Sequence, residues 1–158
     1  MNIFVLDEDI DKCVMYHNDK HTVKMILEYA QLLCSVHHVS GSKLEIPYKL
    51  AHKNHPCTIW VRECIENYNW LCKLALALAK EYTYRYGKRH KSQDVIEWCI
   101  INTPNIRKNS EMTNFAQAMP VEYKSTNAIE AYRKYYNKDK QHLANWKNRN
   151  TPDWFKLN

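Results

Sequence analysis

Two short runs of the sequence gather side chains that can bind anions, move protons or attack carbon. The first is Tyr16-His17-Asn18-Asp19-Lys20-His21, followed by Lys24 and Glu28; the second is His52-Lys53-Asn54-His55-Pro56. Together they hold four of the eight histidines. Each run precedes a segment with helical periodicity. Free N–H groups and the helix dipole favour negative charge at such a start, so a phosphate-like anion is the expected ligand. The two helix starts are expected to face one cleft.

Three chemistries are open to these residues. His17, His21, Lys24 and Glu28 recur at spacings of four, three and four, which places them on one helical stripe. His-x-x-x-His can ligate a metal, with His52 or His55 as third ligand and Asp19 or Glu28 as carboxylate. The glutamate that follows the first histidine in helical zinc sites is Asn18 here. The second chemistry is amine-based. Positive neighbours make Lys20 or Lys24 easier to deprotonate. A neutral amine can attack an electrophilic sugar carbon and form a Schiff base. Glu28, or else Asp19, would move the proton, while His17 and His21 orient the carboxylate or contact phosphate. The third is recognition. Arg133, Lys134, Trp146 and Lys147 belong to a basic, aromatic C-terminal stretch that suits phosphate contact and base stacking. Each pattern also has a plain structural reading: a hydrated stripe with a Lys24–Glu28 ion pair, or an amphipathic helix that buries Tyr132, Tyr136 and Trp146.

The elements that position these residues read as helical. Val23, Ile26, Leu27, Ala30, Leu33 and Cys34 predict a helix over 19–38. Residues 39–56, with Gly41, Pro47 and Pro56, predict a long loop. The spacing from Ile59 to Tyr82 predicts one central helix over 57–86, opened by Pro56 and ended by Gly87. Short helices are expected at 9–16 and 92–101, an irregular stretch over 102–124 with one turn near 115–119, and a last helix from a cap at Asn127 to about 148. Residues 3–6 read as a short strand or an extended arm. The expectation is a single all-α domain over 1–158.

Composition narrows the function. Two glycines cannot build a phosphate loop or a dinucleotide fingerprint. The formal charge of +6 permits a polyanionic partner. No apolar run approaches the roughly 20 residues of a membrane span, and the N-terminus lacks the pattern of a signal peptide. A cytoplasmic protein is expected, with its six cysteines as reduced thiols. No cofactor and no membrane partner are expected.

The two runs also carry a resemblance. Tyr16-His17-Asn18-Asp19 leading into Val23 and Leu27-Glu28 resembles the first catalytic helix of the pyrimidine-dimer DNA glycosylases of the endonuclease V type. Lys53-Asn54-His55-Pro56, followed by a long helix, resembles that family's Arg-Asn-His-Pro motif. The resemblance covers about the first 90 residues. It implies a helical fold, a DNA substrate and an N-terminal α-amine as nucleophile. Glu28 falls on the family's glutamate, and Leu27 stands where the family has an arginine. Asn2 is large enough to block removal of Met1, so the amine would be that of Met1. The expected function is a DNA-processing enzyme: a base-excision glycosylase with AP-lyase chemistry on damaged or modified duplex. Catalysis would use Met1, Lys20 or Lys24 as nucleophile, and Lys53, Asn54 and His55 would grip the backbone. A non-catalytic nucleic-acid-binding protein and a metal-dependent hydrolase are the alternatives.

Overall fold

The structure, a computed structural model, describes residues 1–158 and is all helical. The helices are α1 (Ile10–Tyr16), α2 (Asp19–Val39), α3 (Pro56–Glu63), α4 (Ile65–Tyr86), α5 (Gln93–Ile101) and α6 (Ala128–Asp139). Helices α2 and α4 lie against each other at the centre, and α1, α3 and α5 each pack on α4. No helix is long and apolar enough to cross a membrane.

Local chemistry sets the ends. Asn18 accepts from the His21 N–H and starts α2; His55 Nδ1 accepts from the Cys57 N–H and starts α3, with Pro56 as its first residue. Gly87, at φ 70°, ends α4 with its N–H on the Thr83 carbonyl. Asn127 accepts from the N–H groups of Ile129 and Glu130. The Asn127 N–H in turn donates to Ser125 Oγ.

Two expected helices are corrected. The single helix over 57–86 is two, broken at Cys64, which is extended at φ −159° and ψ 163°. In an unbroken helix the Trp60 carbonyl would accept from residue 64. Here Asn67 Nδ2 takes that carbonyl at 2.8 Å, and the Ile65 N–H turns to the Arg107 carbonyl. The break keeps the Trp60 carbonyl and the Ile65 N–H paired and leaves the apolar spacing in step, so periodicity does not betray it. The last helix stops at Asp139 instead of about 148. Beyond it the tail folds back: Trp146 Nε1 donates to the Tyr16 carbonyl, and the Asn145 carbonyl accepts from Asp19 N–H. Residues 115–119 form no helical turn; the one turn of this stretch is a 3-10 helix at Val121–Tyr123.

Residues 3–6 are an extended arm without a sheet partner, and all four are buried. Phe4 stacks on His21, with ring centroids 4.1 Å apart, and meets Tyr132 and Tyr136 edge-on. The arm is thus held between α2 and α6. The six cysteines are free thiols, all buried.

Candidate active site

The arm delivers the chain's first nitrogen to α2. The Met1 ammonium lies 3.3 Å from Glu28 Oε1, with the Met1 side chain 3 % and the Glu28 side chain 13 % exposed. Asn2 fixes the approach. Its Nδ2 donates to the Ala118 carbonyl at 2.7 Å, and its Oδ1 accepts from Tyr132 Oη at 2.8 Å. His55 lies within electrostatic reach of both groups. Burial lowers its pKa first, and the Met1 ammonium and His52 lower it further, while Glu28 opposes them. A neutral imidazole whose Nδ1 accepts the Cys57 N–H carries its remaining proton on Nε2.

Three of the expected residues therefore come together: Met1, Glu28 and His55. The expected Lys24–Glu28 ion pair does not form, because Glu28 faces the amine. Lys20 and Lys24 are exposed on α2, one and two turns back from Glu28 in reverse order. Lys53 and Asn54 are exposed beside His55, and the Lys53 carbonyl takes the Arg62 guanidinium at 2.6 Å.

The rest of the first run lies inside the fold. His17 is fully buried; its Nδ1 donates to the Cys13 carbonyl at 2.7 Å, and its Nε2 accepts from Tyr29 Oη at 2.9 Å. Burial lowers its pKa to about 4. His21 takes the Tyr136 hydroxyl on Nδ1 at 2.6 Å, and burial lowers its pKa to about 2. Both are neutral at physiological pH. Asp19 accepts from Arg85 at 3.1 Å and from the Lys147 N–H at 2.8 Å. These three contact neither Met1 nor Glu28. The trio needed for a metal, His17 and His21 with His52 or His55, is not assembled: the first two rings engage different tyrosines, and no group of three candidate ligands forms.

The C-terminal candidates divide as well. Trp146 is buried against Phe155. Arg133 donates to the Leu6 carbonyl and Asp7, and lies over the rings of Tyr16 and Trp154. Lys134 and Lys147 are exposed; Lys134 donates to the Glu122 carbonyl, and Lys147 sits over Tyr86. Reading residues alone missed Asn2 and Tyr132 as supports of the amine. No motif marks them. The one available signal is a polar Asn2 ahead of an apolar arm, which needs partners once buried.

No curated protein and no solved structure matches the chain. The profile of one family does, over residues 1–94, which is more than half the chain and includes Met1, Glu28 and His55. The chain belongs to the pyrimidine dimer DNA glycosylase family.

Proposed function

We propose that this protein removes a damaged pyrimidine from duplex DNA by covalent catalysis, with the Met1 amine as nucleophile and Glu28 as its proton acceptor. The single observation that carries the reading is the 3.3 Å contact between the two groups. Family membership supports the substrate class. The Met1 nitrogen has a proton acceptor in contact, whereas exposed Lys20 and Lys24 are in no ion pair.

The step balances as follows. Glu28 takes a proton from the ammonium, and the nitrogen lone pair attacks C1′ of the deoxyribose. The N–C1′ bond forms, and the bond from C1′ to the base breaks with its electron pair leaving on the base, which picks up a proton. Opening of the sugar ring turns the adduct into a protonated imine. Loss of a C2′ proton from that imine expels the 3′ phosphate, which is the AP-lyase extension of the same chemistry. His55, with a proton on Nε2, would hydrogen-bond a phosphate or the opening ring oxygen. Lys53 and Asn54 would contact the backbone.

The test is borohydride trapping on duplexes holding a cyclobutane pyrimidine dimer or an abasic site, followed by peptide mapping. The adduct is expected on the Met1 peptide. An adduct on Lys20 or Lys24 would reassign the nucleophile. Neither adduct nor base release would reject the reading in favour of a non-catalytic DNA-binding protein.

A further inference from the structure

Cys34 on α2 and Cys99 on α5 meet with their sulfurs 3.9 Å apart, and both are fully buried. Other thiols are spent on oxygen: Cys13, Cys57 and Cys64 donate to the Phe4 carbonyl, Asn2 Oδ1 and the Glu111 carbonyl. Cys34 is instead a focus of donors. The Cys99 thiol lowers its pKa, burial opposes this, and the Tyr48 N–H lowers it further. The same contact, and then burial, raise the pKa of Cys99. The proton of the pair therefore rests on Cys99. Cys34 is the readier nucleophile, since the thiolate and not the thiol attacks.

The surroundings hold the pair in place and leave a way in. Tyr68 Oη donates to the Cys99 carbonyl at 2.7 Å and meets His37 Nε2 at 2.9 Å. A disulfide is about 2.05 Å long, so closure brings the sulfurs together by about 1.9 Å, shared between two side chains. The loop over 40–55, which carries Tyr48, is tied down by few side-chain bonds. The Ala51 N–H donates to Ser35 Oγ at 3.0 Å, His38 Nε2 donates to the Tyr48 carbonyl at 2.8 Å, and Tyr48 Oη is 2.8 Å from Ser92 Oγ. A loop held so lightly opens locally more often than the whole fold does, and a small oxidant needs only that.

We propose that Cys34 and Cys99 are a peroxide-responsive pair that closes to a disulfide and braces α2 against α5. The Cys34 sulfur attacks one oxygen of hydrogen peroxide and the O–O bond breaks. The departing hydroxide takes up the thiol proton as water and leaves a sulfenic acid on Cys34. The Cys99 sulfur then attacks the Cys34 sulfur, the S–O bond breaks, and hydroxide leaves with the Cys99 proton as a second water. Two thiols give up two electrons, and one peroxide becomes two waters. The new bond joins positions 65 apart in sequence, so it strongly restricts the unfolded chain. The helix it braces is the one that carries Glu28.

The test treats the full chain with hydrogen peroxide, maps its peptides by mass spectrometry without reductant, and compares melting before and after. The expected product is a linked Cys34–Cys99 peptide, lighter by two hydrogens. The melting temperature should rise by at least about 5 °C and return on addition of dithiothreitol. Cys99→Ala should stop at a Cys34 sulfenic acid that dimedone captures, and Cys34→Ala should leave Cys99 unlabelled. Both thiols still reduced in the treated, folded protein overturn the pair, and so does a link from either to a different cysteine. A Cys34–Cys99 link that leaves the melting temperature unchanged or lower overturns the brace. The map of the unmodified chain decides even where a variant does not fold. No readout involves DNA, so this result and the glycosylase reading stand or fall separately.

Discussion

The start of α2 and the start of α3 look alike in sequence and have opposite fates. Both offer His, Lys and Asn ahead of an apolar helix. At α2 the polar atoms are consumed inward: His17 by Tyr29 and Cys13, His21 by Tyr136, and Asp19 by Arg85 and the folded-back tail. At α3 only the cap is used, and His55 is left beside an ammonium and a carboxylate. The difference lies in what covers each end. The tail and α6 close over the first, and nothing closes over the second. A polar run at a helix start is thus a site only where the rest of the chain leaves it open, and its own residues do not decide that.

Substitutions can break or sharpen this contrast. The largest effect is expected at the amine–carboxylate pair. Glu28→Gln, or acetylation of the Met1 nitrogen, should lower trapping and base release by at least about 100-fold, in the range of a lost general base, with the melting temperature little changed. Single-turnover assays with a parallel melt check this; a loss under about tenfold would remove Glu28 from the chemistry. Next is the buried run. His17→Ala strands the Tyr29 hydroxyl and the Cys13 carbonyl and opens a cavity, so it should cost roughly 2–4 kcal/mol by urea unfolding. Activity per folded molecule should be retained. Third, His55→Ala should lower activity about tenfold and, by removing the cap of α3, stability by about 1 kcal/mol. His55→Asn keeps a capping oxygen and should recover the stability alone, which separates the two duties of this side chain.

The smallest effect is in pH. Burial holds the His17 pKa at about 4 and the His21 pKa at about 2, against roughly 6.5 when unfolded. The unfolded chain therefore binds more protons in acid. The stability these neutral rings contribute is complete above about pH 6.5 and is lost as pH falls toward 4, where His17 protonates within the fold. Melting temperatures from pH 7 to pH 5 should fall, and His17→Gln should flatten the slope. An unchanged slope would mean that His17 does not hold its proton balance through burial.

Much of the helical frame was legible because long amphipathic periods are local. The 19–38 expectation became Asp19–Val39, and 92–101 became Gln93–Ile101. The break at Cys64 was not legible, because the Asn67 side chain replaces one hydrogen bond with another and leaves the apolar register untouched. Within the candidate site, Glu28 and His55 stood out by type and position, and Met1 entered only through the family resemblance. The partners of His21 and Trp146 are Tyr136 of α6 and the Tyr16 carbonyl, 115 and 130 positions away from them along the chain. Such contacts leave no trace in a local pattern.

Asn2, the residue that aims the amine, is held by Ala118 and Tyr132, respectively 116 and 130 positions further along the chain. During synthesis the proposed nucleophile is made long before its holder, and it cannot be aimed until α6 has left the ribosome and docked. A nascent chain would therefore carry all of Met1, Glu28 and His55 and still lack a working site. Competence would arrive in one late step, when the last helix closes on the first residues.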